Sequence, residues 1–288
     1  NNRADFENGK DDLFSVKTIY IGGGTPSLIE SKYIVQIMEE IKSNFELDEN
    51  AEITIEVNPG TVTLEKLEDY NKVGINRLSI GLQSTHEHLL KEIGRIHTYL
   101  DFLDTFRFAR EAGFENINVD LMIGLPNQTL AEVQDSIEEI VSMEPEHISV
   151  YSLILEEGTP LFKKVEEGLK LPDEELERKM YWTVKRILEA NGYNHYEISN
   201  FAKKGYESKH NLDCWNQKEY IGFGVAAHSY TNGIRYSNIE NLEQYIKNYE
   251  EDKTEENLVF HEKQDMEAMQ KEYMLLGLRK IDGVSIQE

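Results

Sequence analysis

The feature that most constrains the fold of this sequence is a regular alternation of two kinds of segment. Short runs rich in Val, Ile, Leu and Tyr, each closed by polar residues, are typical of strands buried in a sheet. Between them lie longer segments with apolar residues three and four positions apart, as in amphipathic helices. The strand-like runs are Thr18 to Tyr20, Glu52 to Val57, Arg77 to Leu82, Ile117 to Ile123 and His147 to Leu155, and the helical segments are Lys32 to Asn44, Leu64 to Val73, Tyr99 to Ala112 and Leu130 to Met143.

Strands that alternate with helices predict an α/β fold with a parallel sheet and crossover helices. Five such strands favour a barrel or partial barrel over a helical bundle. Because chemistry in parallel barrels lies where the strands end, the polar residues at those ends are expected to converge on one mouth. The glycines 22–24 close the first run and would let backbone amides approach a ligand there, although the triplet matches neither the dinucleotide nor the phosphate-loop spacing.

After Leu155 the alternation stops, which predicts an α+β extension. Helices are expected from Pro160, with Thr159 as its cap, and from Asp173 to Ala190. The remaining predicted elements are strands at Tyr193 to Ile198 and Tyr220 to Tyr230, and helices at Asn241 to Glu250 and Lys263 to Leu278. The acidic stretches Glu46 to Glu52 and Asp173 to Glu177 are interpreted as a solvated loop and a first helical turn.

Composition limits the classes of partner. The 288 residues include 54 acidic and 30 basic side chains, for a net charge of −24, which opposes binding to nucleic acid and strong binding to anionic membranes. A single cysteine excludes an internal disulfide and suits a reducing compartment. With no apolar run long enough to span a bilayer and no secretion signal, we expect a cytoplasmic protein.

Five motifs follow one another along the first half of the sequence. They are Gly22 to Ser27, Glu56 to Pro59, Gly81 to Ser84, Gly94 to His97 and Asp120 to Pro126. In order and spacing they resemble the oxygen-independent coproporphyrinogen III oxidase group of radical S-adenosylmethionine (SAM) proteins. The match runs from about Lys17 to Ser285. Within that group, His210 to Trp215, preceded by Tyr196 to Ala202, resembles the haem chaperones rather than the true oxidases.

The resemblance implies a partial (β/α) TIM-like barrel of the radical SAM type with a C-terminal α+β extension. Residues 1–155 would form the barrel without its first strand and cysteine loop, and residues 156–261 the extension that completes the core. Residues 262–288 would open a truncated helical module. We therefore expect a fragment of a longer protein.

Five residues would bind the amino-acid end of SAM. The resemblance places Gly23, Gly24 and Thr25 along its amino and carboxylate groups, Glu56 as acceptor for its ammonium, and Arg95 on its carboxylate. The structural alternative for Glu56 is a loop residue whose carboxylate is hydrogen-bonded within the protein. The alternative for Arg95 is an ion pair with a surface carboxylate.

Four further residues would surround the nucleoside. Gln83 and Asp120 would face the ribose hydroxyls, Ile154 would touch the adenine, and His228 would lie on the rim of the pocket. The structural alternative for such strand-end polar residues is a helix cap or a hydrogen-bonded loop.

One ligand set of the family is absent. Its members hold a 4Fe-4S cluster through three closely spaced cysteines after the first strand, whereas this chain has only Cys214. We expect the cluster segment to precede Thr18 in a full-length protein, and the alternative is a natural member that lost its cluster.

The resemblance also implies a haem site. His210 would coordinate the iron, supported by Asn211 and Trp215, while Cys214 stands where the family usually has tyrosine and would be a second ligand or a small apolar filler. The structural alternative is a hydrogen-bonded loop histidine. Weaker candidates are His195, Tyr196 and His228.

Three functions remain open at this point. The leading hypothesis is a haem chaperone that delivers haem to haemoproteins. The others are an oxidoreductase that decarboxylates coproporphyrinogen III in porphyrin biosynthesis, and a binding module without a cluster. Whether the chain is an enzyme, and whether it forms a homodimer, stays undecided from these residues.

Overall fold

A seven-stranded sheet organises the first part of the computed structural model, which describes residues 15–285. Five strands pair in parallel in chain order, and two short strands add to the last of them in antiparallel fashion. They are β1 (Ser15–Ile21), β2 (Glu46–Val57), β3 (Arg77–Gln83), β4 (Ile117–Ile123), β5 (His147–Ser152), β6 (Asn194–Glu197) and β7 (Asn200–Ala202), in the spatial order β1-β2-β3-β4-β5-β7-β6. The curled, mainly parallel sheet confirms the predicted partial barrel.

Seven helices connect these strands. They are α1 (Ser31–Asn44), α2 (Leu64–Lys72), α3 (Glu87–Glu92), α4 (Tyr99–Glu111), α5 (Leu130–Ser142), α6 (Pro160–Glu166) and α7 (Glu174–Ala190). Local sequence explains their starts, because Thr129 and Glu132 form a reciprocal capping box at α5 and Asp173 caps α7 through the Leu176 N–H.

The two faces of the sheet differ in chemistry. Alternate strand residues point to opposite faces, and one set, which includes Ile55, Leu78 and Val119, joins the helices in one buried apolar core. The other set is polar although it is equally buried, as at Thr54 and Asn118. Buried polar side chains require hydrogen-bond partners, so the polar face is where a site is expected.

Residues 209–288 form a second compact unit. Its described part contains α8 (Lys209–Trp215), β8 (His228–Thr231), β9 (Ile234–Asn238), α9 (Leu242–Glu250), β10 (Leu258–Lys263) and α10 (Met266–Gly277). The three strands pair in antiparallel fashion in the order β10-β9-β8. Every helix between residues 15 and 285 is too short or too polar to cross a bilayer.

Three expectations from the sequence are wrong in detail. The predicted strand from Tyr220 to Tyr230 is reduced to a single bridge between those two residues, and β8 begins only at His228. Left-handed backbone at Gly224 and Ala226 breaks the extended run. The acidic stretch from Glu46 is the start of β2 rather than a loop, because it pairs with the start of β1.

The third error concerns element ends. Strand β5 stops at Ser152 rather than Leu155, and Lys263 is the last residue of β10, so α10 starts at Met266. The predicted helix starts at Pro160 and after Asp173 are confirmed. The proposed boundaries at residues 155 and 261 stay predictions.

Candidate functional site

The end of β1 makes a tight turn against β2. Gly23 donates its backbone N–H to Glu56 Oε2 at 3.1 Å, and the Tyr20 hydroxyl donates to Glu56 Oε1 at 2.8 Å. A Cβ atom on Gly22 would lie 2.8 Å from the Glu56 carboxyl carbon, so glycine is required for this approach. Burial and the charge of Glu56 raise the pKa of Tyr20, which therefore stays a hydrogen-bond donor.

The glycine turn is open on its outer side. A Cβ atom on Gly23 or Gly24 would meet nothing within 4 Å, and both residues have left-handed φ angles, +82° and +148°. Thr25 follows, and its hydroxyl accepts from Asn58 Nδ2 at 3.1 Å, while Asn58 Oδ1 accepts from Arg95 Nη1 at 3.4 Å. The structure thus links Arg95 to the glycine turn through one side chain, and the turn leaves room for a small polar ligand.

Gln83 ends β3 in a strained conformation. It is buried, its φ of +74° is unusual for a residue with a side chain, and its Oε1 accepts from the Tyr151 hydroxyl at 3.0 Å. Strain of this kind is found at binding sites, where surrounding structure maintains it. Gly81, two residues earlier, leaves the space that brings Gln83 beside Asn58. By contrast, Ile154 lies beyond β5 and is 81% exposed.

Asp120 lies on β4, on the polar face of the sheet. Its Oδ1 accepts from Asn118 Nδ2 at 2.6 Å, and its Oδ2 accepts from Ser79 Oγ at 3.5 Å. Burial raises the pKa of Asp120, and hydrogen bonds from Asn118 and Ser149 oppose the rise. Glu56 adds to it by like-charge repulsion. Because the hydrogen bond from Ser79 to Asp120 Oδ2 is long, at 3.5 Å, this oxygen has capacity for a further donor.

A chain of hydrogen bonds leads from Asp120 towards the antiparallel edge. Asn118 Oδ1 lies 2.6 Å from His147 Nδ1, and His147 Nε2 lies 2.7 Å from the Tyr196 hydroxyl, whose oxygen accepts from the Ser208 N–H at 3.2 Å. Because an N–H can only donate, the Tyr196 proton is directed to His147 Nε2, and we assign the His147 proton to Nδ1. Burial lowers the pKa of His147 well below its usual value, consistent with a neutral ring.

Helix α8 carries all four residues predicted for haem. His210, Asn211, Cys214 and Trp215 are each half-buried there. His210 Nε2 lies 4.0 Å from Cys214 Sγ, as expected for positions four apart on a helix. The structure therefore brings His210 and Cys214 together on one side of α8.

Trp215 lies on a different side of α8. Five residues at roughly 100° each place it about 140° around the helix from His210. The guanidinium carbon of Arg279 lies 4.4 Å from the centre of the Trp215 ring. Burial raises the pKa of the Cys214 thiol, and the charge of Asp213 adds to the rise, so Cys214 is a protonated thiol at neutral pH.

The weaker histidine candidates have other partners. His228 is exposed on β8 in the second unit, and its ring stacks on that of His261 with centroids 5.3 Å apart. His195 stacks on Phe201 at 4.5 Å and lies 3.2 Å from the Tyr181 hydroxyl. Between residues 15 and 285 there is no cluster of three or more His, Cys, Asp or Glu side chains that could hold a metal ion.

Sequence reasoning missed several residues that the structure brings to these sites. Tyr20, Tyr151 and His147 are strand residues, and only the period of two along a strand would have assigned them to the polar face. Asn58 stood in a quoted motif without a role. Arg279 carried no local signal, since its partner Trp215 is 64 positions away in the chain.

Comparison with known proteins identifies relatives over nearly the whole chain. Residues 3–140 match the model of the Radical SAM superfamily. The chain is 43% identical to the heme chaperone HemW of Bacillus subtilis, over 96% of this chain and 72% of that protein. It is 40% identical to HemW of Escherichia coli K12, over 74% of this chain and 56% of that protein.

A solved structure shares the fold. The coproporphyrinogen III oxidase HemN of Escherichia coli superposes with a TM-score of 0.79, over 92% of this chain and 63% of that one. Sequence identity in this alignment is 23%, so the likeness concerns the fold alone.

Proposed function

Since the chain belongs to the HemW family of radical SAM proteins, we propose that it binds haem and transfers it to haemoproteins. The observation that carries this proposal is the 43% identity to a heme chaperone over 72% of that relative's length. The half-buried His210 on α8 supports it, because imidazole is a common axial ligand of haem iron.

We assign the iron ligand to His210 rather than to Cys214. Haem iron is commonly held by a histidine imidazole. Cys214 stands where the family usually has tyrosine, so a thiol ligand at this position is not what the family pattern implies. Cys214 then fills space beside the imidazole as a small apolar group, and Asn211 lies on the same short helix.

We propose that the polar face of the first unit binds SAM, the ligand that the Radical SAM superfamily implies. The open turn at Gly23 and Gly24 fits the amino and carboxylate groups, next to Glu56 and Thr25. The guanidinium of Arg95 would add a positive charge beside the carboxylate of SAM.

The nucleoside of SAM would lie across the neighbouring strand ends. Asp120 and Gln83 would accept from the ribose hydroxyls, and the exposed Ile154 would cover the adenine.

The iron–sulfur cluster does not fit the residues in hand. The superfamily's cluster needs three thiolates, and the 288 residues contain one cysteine, whose pKa is raised by burial. When bound, a 4Fe-4S cluster would supply electrons for SAM cleavage. The residues named above would bind and orient SAM, but the 288 residues provide no ligand set for that chemistry.

The partners follow from the proposed role. Haem would be the cargo and haemoproteins the recipients, in the cytoplasm. A net charge of −24 argues against nucleic acid and anionic lipid as partners. No contact in the described residues specifically favours coproporphyrinogen oxidation.

A haem titration of the 288-residue chain tests the proposal. We expect a saturable shift of the Soret band that His210→Ala abolishes. The matched control is His88→Ala, because His88 is exposed and pairs with Glu132 in the first unit. An unchanged titration in His210→Ala would overturn the ligand assignment, and no shift in the folded wild type would overturn haem binding.

Binding of S-adenosylhomocysteine, measured by calorimetry, tests the second site. We expect His210→Ala to leave this affinity unchanged, since Glu56, Gln83 and Asp120 lie in the first unit and His210 in the second. If His210→Ala lost the binding of both haem and S-adenosylhomocysteine, the substitution would have disturbed the fold.

A further inference from the structure

The starting observation is a pair of side chains in the second unit, Trp215 at the end of α8 and Arg279 just after α10. The Arg279 guanidinium carbon lies 4.4 Å from the centre of the Trp215 ring. Trp215 Nε1 and Arg279 Nε are both buried and have no hydrogen-bond partner among the described residues. Two neighbouring side chains thus each present an unpaired N–H donor.

Such a pair is unexpected in this chain. Acidic side chains outnumber basic ones 54 to 30, so carboxylates are abundant. The other arginine stacked on an aromatic ring in the same unit, Arg235 over Tyr230 at 4.6 Å, is ion-paired to Glu272. Arg279 has no ion pair within residues 15–285. Because buried donors without partners are costly, the arrangement points to an acceptor that residues 15–285 do not supply.

We propose that Trp215 and Arg279 form the binding site for a propionate carboxylate of haem. This inference rests on the proposed function and adds the group that recognises the edge of the porphyrin. A guanidinium stacked on a ring keeps its N–H edge available, and its planar fork matches a carboxylate. Indole Nε1–H is a donor only, so it too requires an acceptor.

The position of the pair on α8 agrees with this role. Haem propionates project from the edge of the macrocycle, whereas the axial ligand approaches the iron from its face. The two contacts therefore need not share one side of the helix. Trp215 lies about 140° around α8 from His210, and the pair would hold the porphyrin edge while His210 binds the metal.

A series of three porphyrins separates these contacts: haem, haem dimethyl ester and metal-free protoporphyrin IX. We expect Arg279→Gln to weaken haem binding about tenfold or more, and to leave the affinity for the dimethyl ester unchanged. Trp215→Phe keeps an aromatic side chain but removes the Nε1–H donor. It should also weaken the binding of haem and protoporphyrin IX, which carry free propionates, and not that of the dimethyl ester. Arg279→Lys keeps the positive charge but not the planar guanidinium. It should lose less haem affinity than Arg279→Gln does.

The matched control is Arg235→Gln, which removes a stacked guanidinium that already has a carboxylate partner. It should affect the three porphyrins equally or not at all. Metal-free protoporphyrin should be sensitive to Arg279→Gln and insensitive to His210→Ala. This pattern identifies carboxylate recognition independently of iron ligation.

Two outcomes overturn the inference alone: Arg279→Gln leaves haem affinity unchanged, or it weakens haem and its dimethyl ester equally. If His210→Ala is harmless and Arg279→Gln still discriminates acid from ester, the carboxylate site stands and only the iron ligand is wrong. If the folded wild type binds none of the three porphyrins, both the inference and the proposed function fail.

Discussion

At the scale of single residues, Gly22 has a structural requirement that bears directly on the proposed SAM site. A Cβ atom at this position would lie 2.6 Å from a ring carbon of Tyr20 and 2.8 Å from the Glu56 carboxyl group. We expect Gly22→Ala to lower the free energy of unfolding by about 1–3 kcal/mol through overpacking. It should also weaken S-adenosylhomocysteine binding, because Glu56 must move.

Urea denaturation and calorimetry measure these two effects. Gly168→Ala is the control for binding, because Gly168 has a left-handed φ of +109° and open space around it. That variant should lose stability through strain but keep its affinity. Normal affinity in Gly22→Ala would contradict a role for Glu56 at the ligand.

Asp120 has a pH dependence whose sign follows from its raised pKa. Burial makes the folded state hold this proton more tightly than the unfolded chain does. The contribution of Asp120 to stability therefore falls as pH rises from the unfolded pKa, about 3.9, through the raised folded value. At neutral pH the buried carboxylate is a net cost.

We accordingly expect Asp120→Asn to be more stable than the wild type at neutral pH, with an advantage that shrinks as pH falls towards about 4. The same substitution should weaken S-adenosylhomocysteine binding, because an acceptor is lost. Urea denaturation across this pH range is the measurement. Asp104→Asn, at an exposed ion pair on α4, is the control. If both variants change stability equally across the pH range, the raised pKa of Asp120 is contradicted.

At the scale of elements, the hydrogen bonds through Tyr196 join β4, β5 and β6 to the chain at Ser208. Tyr196→Phe would remove the hydroxyl that pairs with His147 Nε2 and with the Ser208 N–H. We expect it to lower the free energy of unfolding by about 1–3 kcal/mol, the usual cost of buried unpaired groups.

Tyr181→Phe is the control for this prediction. The Tyr181 hydroxyl lies 3.2 Å from both the exposed Ile198 carbonyl and His195 Nε2, but Tyr181 and His195 are only half-buried, so loss of this hydroxyl should cost less. Urea denaturation of the two variants gives the comparison. Similar losses would mean that the buried chain of hydrogen bonds adds no more than an ordinary surface contact.

Sequence patterns predict the elements of the first unit well, for a physical reason. Capping residues such as Thr159 and Asp173, and apolar periodicity along the helices, act locally and can be read in one segment. Strand β8 was misplaced because left-handed Gly224 and Ala226 interrupt a run that looks uniformly extended. The short strand β7 had no signal of its own, since pairing with β5 and β6 determines it.

At the scale of the whole molecule, the candidate sites differ in how far sequence could anticipate them. Motifs at successive strand ends predicted that Glu56, Gln83 and Asp120 would belong to one region, and the sheet order β2-β3-β4 places their strands side by side. Contacts between distant segments could not be anticipated. The Arg279 contact with Trp215 depends on how α8 and α10 pack within the second unit.

Net charge adds a last prediction, for the rate of haem association. A chain of charge −24 repels a porphyrin that carries two propionates, while Arg279 attracts one of them at close range. Raising ionic strength from about 0.01 M to about 0.15 M shortens the Debye length from about 30 Å to about 8 Å, which screens the distant carboxylates more than the contact. We therefore expect stopped-flow association to become faster with salt in the wild type. Arg279→Gln should be slower at every salt concentration and should gain more from added salt. A rate that falls with salt in the wild type would show that local attraction by basic side chains outweighs the acidic surface.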